Sequence, residues 1–291
     1  MRLPDFAIIG AMKSGTSTLH EQLALRPRFF MSRPKEPNFF SDDPNFARGV
    51  EWYASLFAGA SESQLCGESS THYTKLPTHP HAAERLHALL PNARLVYVMR
   101  DPVERLVSQY LHEWSTRAIE GDVADVVETH ERFVAYSCYA RQLEPYLARF
   151  GTSRVLPVFF ERMVAEPEAE LARVCRFLGD QSPEPVTWRE ERARQNVSSE
   201  RMRSSALRDL VTRVAPLRWL KDQLPAETRE RIKQLWRYEG RPDLSADALA
   251  RVQSRIDVDL ARLSEWLGTK LTCAGWREQV LDRPLEWRRS D

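Results

Sequence analysis

A short glycine-rich loop near the amino terminus constrains the fold of this chain more than any other feature. The apolar run Phe6 to Ile9 leads into Gly10-Ala-Met-Lys-Ser-Gly15-Thr-Ser, and a helix-like segment follows. A buried strand, a loop with two glycines and a helix amino terminus form a cradle of backbone N–H groups for phosphate oxygens. The loop therefore predicts an α/β fold with an anion site after its first strand, and a purely structural turn is the alternative.

The lysine of this loop is not where an ATP-binding loop has it. The pattern G-x-x-x-x-G-K-[ST] places a lysine directly after the second glycine, whereas this chain has Thr16 there and Lys13 inside the loop. An interior lysine can reach the bridging oxygen of a 5′-phosphate group. The apolar run Leu95 to Met99 ends in Arg100, which is a poor magnesium ligand. Both departures argue against metal-assisted phosphoryl transfer from ATP.

Apolar runs and amphipathic segments alternate along the first half, which predicts a parallel sheet flanked by helices. Runs that are apolar at consecutive positions suit strands buried on both faces. The expected strands are Phe6 to Ile9, Phe29 to Ser32, Leu65 to Glu68, Leu95 to Met99 and Val155 to Phe160. Three helices are best marked: one capped by Asp101 with Pro102 at its first position, Glu166 to Leu178 before Gly179, and Leu249 to Leu267 before Gly268.

Composition bounds the remaining possibilities. The chain has 291 residues and a net charge of +1, which favours neither a nucleic acid partner nor an anionic membrane. It has no apolar run long enough for a membrane span and no signal peptide pattern, and a cytoplasmic location is expected. The four cysteines are far apart and are expected to be free thiols. We expect a single domain over residues 1–291, in which the proline-rich stretch 181–245 forms a loop and helix cap over the active site.

A second anion site is predicted after the fourth strand. Arg100 ends that strand, and Ser108 lies two turns along the helix capped by Asp101. A guanidinium at the carboxyl end of a strand, with a hydroxyl nearby, suits a second phosphate. The alternative is a structural ion pair between Arg100 and Asp101, with Ser108 in solvent.

Taken together, the two sites resemble those by which sulfotransferases hold 3′-phosphoadenosine 5′-phosphosulfate. The heparan-sulfate-type sulfotransferase domain is the most similar branch. Besides the two anion motifs, four segments carry the resemblance: Lys35-Glu-Pro-Asn-Phe-Phe40, Trp52-Tyr-x-x-Leu-Phe57, Val158-Phe-Phe-Glu161 and Phe177-Leu-Gly179. The resemblance covers residues 5 to about 180 well and the remainder loosely.

The resemblance implies roles for individual residues. The 5′-phosphosulfate would lie on Lys13, Ser14, Gly15, Thr16 and Ser17, and the 3′-phosphate on Arg100 and Ser108. Arg194 and Ser198 would close over the nucleotide, and no metal would be required. Glu36 matches the glutamate that acts as base in the family, with His20 and His72 as reserve candidates. Lys13 would also stabilise the leaving oxygen, which makes it catalytic as well as nucleotide-binding.

One segment departs from the family pattern. Glu68-Ser-Ser-Thr-His-Tyr73 stands where the heparan-type enzymes carry E-K-[ST]-P-x-Y, so Ser69 and Thr71 replace a lysine and a proline. A substrate-facing positive charge is therefore missing. This favours a small, saccharide or lipid-like hydroxyl acceptor over a long polyanionic chain. The aromatic residues Phe39, Phe40, Trp52, Tyr53 and Tyr73 either line the acceptor cleft or belong to the core.

Two other classes of function stay open from the sequence. An atypical P-loop kinase or NTPase would bind ATP with magnesium, whereas a sulfotransferase would bind adenosine 3′,5′-bisphosphate without metal. A degenerate nucleotide-binding protein would bind the donor and transfer nothing. The joint presence of Lys13, Glu36, Arg100 and Ser108 disfavours the inactive protein.

Overall fold

The computed structural model describes residues 1–182, 185–190 and 242–288. Within them, five parallel strands form one sheet in the order β2-β3-β1-β4-β5, so that the strand before the glycine-rich loop is central. The strands are β1 (Phe6–Gly10), β2 (Phe29–Met31), β3 (Leu65–Ser69), β4 (Arg94–Met99) and β5 (Val155–Phe159). The predicted α/β fold with a parallel sheet between helices is confirmed.

Helices lie between the strands and after the last of them. The first group comprises α1 (Thr16–Ala24), α2 (Asp43–Phe46), α3 (Gly49–Ser55), α4 (Ala82–Leu89) and α5 (Pro102–Ser115). The second comprises α6 (Val123–Thr129), α7 (Arg132–Ala135), α8 (Tyr139–Phe150), α9 (Phe160–Ala165), α10 (Pro167–Leu178), α11 (Ala246–Leu267) and α12 (Trp276–Asp282). Two short 3₁₀ turns, Thr71–Thr74 and Thr152–Arg154, precede α4 and β5.

Both faces of the central strands are buried, which explains their uninterrupted apolar sequence. Ile8, with Val96 and Val98, packs in a core that includes side chains of α1 and α10. Ala7 and Ile9 point the other way, into a larger core. That core includes Phe39, Phe40, Tyr53 and Tyr73, each at most 1% exposed. Of the two interpretations of these four rings, the structure therefore favours the core, while Trp52 is only partly buried.

The sequence-based helix boundaries agree closely with the observed ones. The Asp101 carboxylate accepts hydrogen bonds from the backbone N–H groups of Val103 and Glu104, both at 2.9 Å, and so caps α5 as predicted. Helix α10 ends at Gly179, whose φ is 97°, in the left-handed region that glycine adopts at least cost. Helix α11 begins at Ala246, three residues before the predicted start, because Ser245 provides its cap.

Two predictions on the later part of the chain have other outcomes. Phe160 was expected to end the fifth strand but is the first residue of α9, since β5 ends at Phe159. The proposed cap, residues 181–245, lies mostly outside the described residues, as do Arg194 and Ser198, and it stays a prediction. In the described part of the chain, no helix combines the length and the apolar character needed to cross a membrane.

Candidate active site

The predicted site residues that the structure describes lie on segments that follow the carboxyl ends of the strands or contact them. Strands β3, β1 and β4 are neighbours and all run in the same direction, so the segments that follow them leave from one edge. These segments carry Ser70 to Lys75, the glycine-rich loop and Arg100. In open α/β sheets, ligands bind at this edge, where neighbouring connections diverge.

The glycine-rich loop comes close to its neighbours at both glycines. A Cβ on Gly10 would lie 2.0 Å from the Thr74 hydroxyl oxygen, and one on Gly15 would lie 2.7 Å from the Phe160 ring. Gly15 also has a φ of 87° and occupies the N-cap position of α1. No side chain caps this helix, and no acidic residue lies in its first turn. The amino end of α1 therefore offers unscreened N–H groups to an anion.

Polar side chains of the loop surround the amino end of α1. Ser14 is fully buried, and its hydroxyl oxygen has no hydrogen-bond partner among the described residues. A buried hydroxyl without a partner is costly, and a bound oxyanion would satisfy it. Thr16 is buried, while Lys13 and Ser17 are partly accessible. The loop thus fits a phosphate or phosphosulfate group.

Arg100 is in contact with this loop. One of its guanidinium nitrogens donates to the Lys13 carbonyl oxygen at 3.4 Å, and the other forms an ion pair with Glu104 at 3.2 Å. The guanidinium also lies over the Phe160 ring, 4.9 Å from its centroid. The Arg100–Glu104 pair is partly exposed, and such pairs contribute little stability, so an incoming phosphate can displace the carboxylate.

The two interpretations of Arg100 and Ser108 can now be compared. Asp101 caps α5 and is not the ion-pair partner of Arg100, which is Glu104. Ser108 is 4% exposed and does not lie in solvent. The structural alternative therefore fails in both of its parts, while the phosphate role of Arg100 and Ser108 remains a proposal.

Arg105, which belongs to the same motif, has a structural role. Its guanidinium is fully buried and donates to the Ser137 hydroxyl at 2.7 Å, the Gln109 side-chain oxygen at 2.9 Å and the Phe133 carbonyl at 2.7 Å. These bonds join α5 to α7 and to the residue Ser137 that follows it, and they engage the guanidinium with protein acceptors.

The structure places Glu36 beside the end of β3. Its backbone N–H donates to the Ser69 carbonyl at 2.9 Å, which fixes the Glu36 backbone to the neighbouring strand end. Its carboxylate forms an ion pair with the Lys35 ammonium at 2.6 Å. The Thr71 hydroxyl donates to the same carboxylate, at 3.1 Å from its nearer oxygen. Thr71 is the residue that replaces the family's proline, so this departure adds a donor to the candidate base.

The surroundings of Glu36 favour its ionised form. Burial alone raises the pKa of this carboxyl, but the positive charges of Lys35 and Lys75 and the hydrogen bonds from Lys35 and Thr71 outweigh it and lower the pKa. Lys75 is itself 8% exposed, and burial lowers the pKa of its ammonium to about 8. Glu36 is therefore a carboxylate at neutral pH, ready to accept a proton.

The two reserve histidines are each held by a neighbouring side chain. His20 is buried, and its Nδ1 lies 2.9 Å from the Ser69 hydroxyl oxygen. His72 stacks on His79 with ring centroids 4.8 Å apart. Burial lowers the pKa of both His20 and His72 to about 4, so both rings are neutral at pH 7. Ser69, which replaces the family's lysine, is thus engaged with a histidine and presents no charge.

Sequence reasoning missed Lys75 and the Ser69–His20 pair. The ammonium of Lys75 lies 5.9 Å from the Tyr136 ring centroid and influences Glu36 across the site. A signal was present, since Lys75 follows the end of β3 by six residues in a segment already compared with the family. The Ser69–His20 pair had no such signal, because its partners are 49 positions apart.

Comparison with known proteins identifies the family of this chain. The family model described as "Sulfotransferase domain" matches residues 3–239. The chain is similar to the mouse protein named heparan sulfate glucosamine 3-O-sulfotransferase 3A1, with 33% identity over 187 residues, covering 61% of this chain and 46% of the relative. It is also 36% identical over 151 residues to the membrane-associated sulfotransferase kil1 of Dictyostelium discoideum, covering 45% of this chain and 31% of the relative. The chain thus spans less than half the length of these curated relatives.

A solved structure supports the fold separately. The crystal structure of a sulfotransferase from Alicyclobacillus acidocaldarius matches with a TM-score of 0.69 and 21% identity, covering 95% of this chain and all of that one (100%). At this level of identity the match bears on the fold alone. Since the family model covers most of the sequence, and the fold agrees, the chain belongs to the sulfotransferase domain family.

Proposed function

We propose that this protein is an enzyme that transfers a sulfuryl group from 3′-phosphoadenosine 5′-phosphosulfate to a hydroxyl group of its acceptor. Membership of the sulfotransferase domain family supports the reaction class. The observation that carries the proposal is the contact between Arg100 and the Lys13 carbonyl, which joins the two predicted anion sites at one edge of the sheet. An ATP-dependent kinase is not favoured, because the loop lysine and the magnesium-binding aspartate are both missing from their usual places.

The proposed role of each nucleotide-binding residue follows from where that residue lies in the fold. Backbone N–H groups of the loop and the amino end of α1, with the Ser14 hydroxyl, would hold the 5′-phosphosulfate. Arg100 and Ser108 would hold the 3′-phosphate, after the guanidinium exchanges Glu104 for the phosphate oxygens. The proposed closure by Arg194 and Ser198 belongs to the same hypothesis and lies outside the described residues.

The proposed chemical step is an in-line displacement at sulfur. The acceptor oxygen forms a bond to sulfur, its proton passes to the Glu36 carboxylate, and the bond between sulfur and the bridging oxygen breaks. The electron pair of that bond remains on the departing 5′-phosphate, where Lys13 would stabilise the new charge. Because the donor is already activated, the enzyme has to supply position, a base and charge stabilisation. The absence of a metal requirement is part of this proposal.

The acceptor is proposed to be a small, saccharide or lipid-like molecule with a free hydroxyl. The named activity of the mouse relative, on glucosamine in heparan sulfate, supports a sugar hydroxyl as the first class to test. The neutral Ser69, which is buried against His20, supplies no positive charge for a polyanionic chain at this place. A cytoplasmic location, expected from the sequence, is likewise a proposal that fractionation of the producing cell would test.

Binding of adenosine 3′,5′-bisphosphate is the first test of the proposed function. We expect this product to raise the melting temperature by several degrees in the presence of EDTA, since a ligand at about 100 times its Kd stabilises the folded state by about 2.7 kcal/mol. ATP with Mg²⁺ is the control and is expected to have a much smaller effect. Stabilisation by ATP with Mg²⁺ alone would instead indicate a kinase or NTPase.

Transfer itself is tested with ³⁵S-labelled donor and a fixed acceptor panel. The panel contains a desulfated heparan oligosaccharide, a methyl glucoside and 4-nitrophenol, and the products are identified by mass spectrometry. Labelled product on any of the three supports the enzyme. Tight nucleotide binding without transfer to the panel or to an extract of the producing cell would support the inactive nucleotide-binding protein.

Lys75 is expected to set the lower pH limit of activity. The working form of Glu36 is the carboxylate, so activity is lost as the pH falls through the lowered pKa of Glu36. Lys75→Met removes one of the charges that lower this pKa, and the acidic limb of kcat/KM should therefore move to higher pH. Lys75→Arg keeps the charge and serves as the matched control. An unchanged acidic limb in Lys75→Met would contradict the electrostatic role of Lys75.

A further inference from the structure

A second carboxylate, Glu68, is the penultimate residue of β3, beside Ser69, which bonds to the Glu36 backbone. Its side chain is fully buried. Three hydroxyl groups donate to it: those of Tyr53 and Tyr73 to one oxygen, at 2.6 and 2.5 Å, and that of Ser70 to the other, at 2.6 Å. In the described part of the chain no basic side chain forms an ion pair with it. Among the described residues, the side-chain donors to the Glu68 carboxylate are thus all hydroxyl groups.

Burying a carboxyl group in the core in this way costs free energy of folding. Burial disfavours a carboxylate unless it is paired or fully hydrogen-bonded. Burial raises the pKa of Glu68, and the three hydroxyl donors reduce this rise without cancelling it. Hydrogen bonds to a charged oxygen are shorter and stronger than neutral ones. The Glu68 carboxylate therefore holds its three donors more rigidly than an apolar side chain of similar size could.

The Ser70 hydroxyl connects the Glu68 carboxylate to the loop that carries Glu36. While it donates to Glu68, it accepts the backbone N–H of Asn38 at 3.0 Å. Glu36 and Asn38 have φ angles of 60° and 51°, a left-handed conformation that side-chain-bearing residues adopt at a cost. The bond to Asn38 and that from the Glu36 N–H to the Ser69 carbonyl hold this conformation in place.

The two tyrosines connect Glu68 to the same loop through aromatic packing. The Tyr53 ring is stacked on Phe39, with centroids 4.4 Å apart and planes 7° apart. Phe40 packs against the Tyr53 and Tyr73 rings, at centroid distances of 5.3 and 5.5 Å. The two residues that follow Asn38 are therefore packed against hydroxyl donors of the Glu68 carboxylate.

We propose that Glu68 is a positioning residue that holds the Glu36 loop in its reacting conformation through Ser70, Tyr53 and Tyr73. The inference rests on the proposed role of Glu36 as base. It assigns a task to a buried carboxylate for which the described part of the chain supplies hydroxyl groups alone as hydrogen-bond donors. Glu68 itself would touch neither donor nor acceptor substrate.

Glu68→Gln and Ser70→Ala test the proposal. The amide has the size of the carboxylate but adds an N–H₂ group among three hydroxyl donors, so the loop should shift; kcat is expected to fall by about 10²-fold, as for other small misplacements of a reacting group. Ser70→Ala removes only the link to Asn38 and should cost about tenfold in kcat. The Kd for adenosine 3′,5′-bisphosphate, measured by calorimetry, should stay within about twofold of wild type, because the nucleotide loop leaves a different strand.

Glu170→Gln is the matched control. Glu170, in α10, is also a buried carboxylate, but it is paired with Arg162 of α9 and Arg173 of α10. Helix α10 packs on the opposite face of the sheet. The substitution should lower the melting temperature and leave kcat unchanged. Hydrogen exchange adds a readout that needs no acceptor: the amides of Glu36 and Asn38 should lose protection in Glu68→Gln and keep it in Glu170→Gln.

The outcomes separate this proposal from the proposed function. Wild-type kcat and wild-type protection of both amides in Glu68→Gln would overturn the positioning role, whatever the role of Glu36. Parallel losses of kcat, nucleotide affinity and melting temperature would also overturn it, because they indicate general destabilisation. If Glu68→Gln does not fold, Ser70→Ala decides by the same measurements. Full turnover of Glu36→Gln would refute the role of Glu36 as base. The hydrogen exchange result would still test whether Glu68 holds the loop of Glu36 in place.

Discussion

Lys13→Ala is expected to lower the rate of sulfuryl transfer by at least about 10²-fold, the loss typical of removing one group that stabilises transition-state charge. The charge on the leaving oxygen appears only as the bond to sulfur breaks, so the loss should fall on kcat. Binding of adenosine 3′,5′-bisphosphate should weaken far less, because the backbone cradle, the amino end of α1 and Arg100 remain. Single-turnover kinetics and calorimetry measure the two quantities separately.

Two variants control for the charge and its position. Lys13→Arg keeps the positive charge and should retain more activity than Lys13→Ala. Lys270→Ala removes an exposed lysine from the segment between α11 and α12 and should change neither kcat nor Kd. Full transfer activity in Lys13→Ala would exclude the leaving-group role and would reopen the question of why the lysine lies inside the loop.

Glu36→Gln is expected to lower kcat by about 10² to 10⁴-fold, the usual contribution of a well-placed general base. The amide retains the size of the side chain and can still accept from Thr71, but it cannot take the proton of the acceptor. Nucleotide affinity should be unchanged, because Glu36 lies in the segment after β2, beside the end of β3, whereas the nucleotide loop follows β1. The measurement is kcat with the best acceptor of the panel, beside a calorimetric Kd.

The control for Glu36 is Glu51→Gln, which changes an exposed carboxylate in the first turn of α3. It should leave kcat at the wild-type value. If Glu36→Gln also keeps wild-type turnover, the base lies elsewhere, and His20→Gln and His72→Gln then decide between the two reserve histidines. Loss of kcat in one of them, with nucleotide binding intact, would assign the base to that ring.

Local sequence signals account for the parts of the site that lie within one connection. The glycine-rich loop was predictable because its glycines, its hydroxyl residues and the following helix are contiguous. The start of α5 was predictable because Asp101 and Pro102 act on backbone groups within four residues. The carboxyl ends of parallel strands lie on the same side of a sheet. The prediction of parallel strands was therefore enough to place the loop and Arg100 close together.

Contacts between distant segments account for what could not be predicted. Arg105 belongs to the same motif as Arg100, yet its bonds reach Ser137 and Phe133, about 30 positions later, and bury it. The sequence contains no local pattern for these partners. The pairing of Ser69 with His20 and the donation from Thr71 to Glu36 likewise depend on how the loop of Glu36 lies against β3. The serine at position 69 and the threonine at position 71 differ from the family pattern, and this difference indicated that the local contacts change. It did not indicate which residues the new side chains contact.

The strand order also separates the parts of the chain that can vary. Strand β1, which leads into the nucleotide loop, lies between β3 and β4; the Glu36 loop is attached to β3, whereas Arg100 follows β4. Substitutions in the loop of Glu36 can therefore alter the acceptor without moving the groups proposed to hold the donor, whereas residues 70–75 contact β1 through Thr74, whose hydroxyl donates to the Ile9 carbonyl oxygen at 2.7 Å. This arrangement allows one nucleotide-binding frame to acquire new acceptors through mutation of a single side of the sheet. Directed evolution of acceptor preference should accordingly start at the loop of Glu36 and leave residues 70–75 and the strand β4 side unchanged.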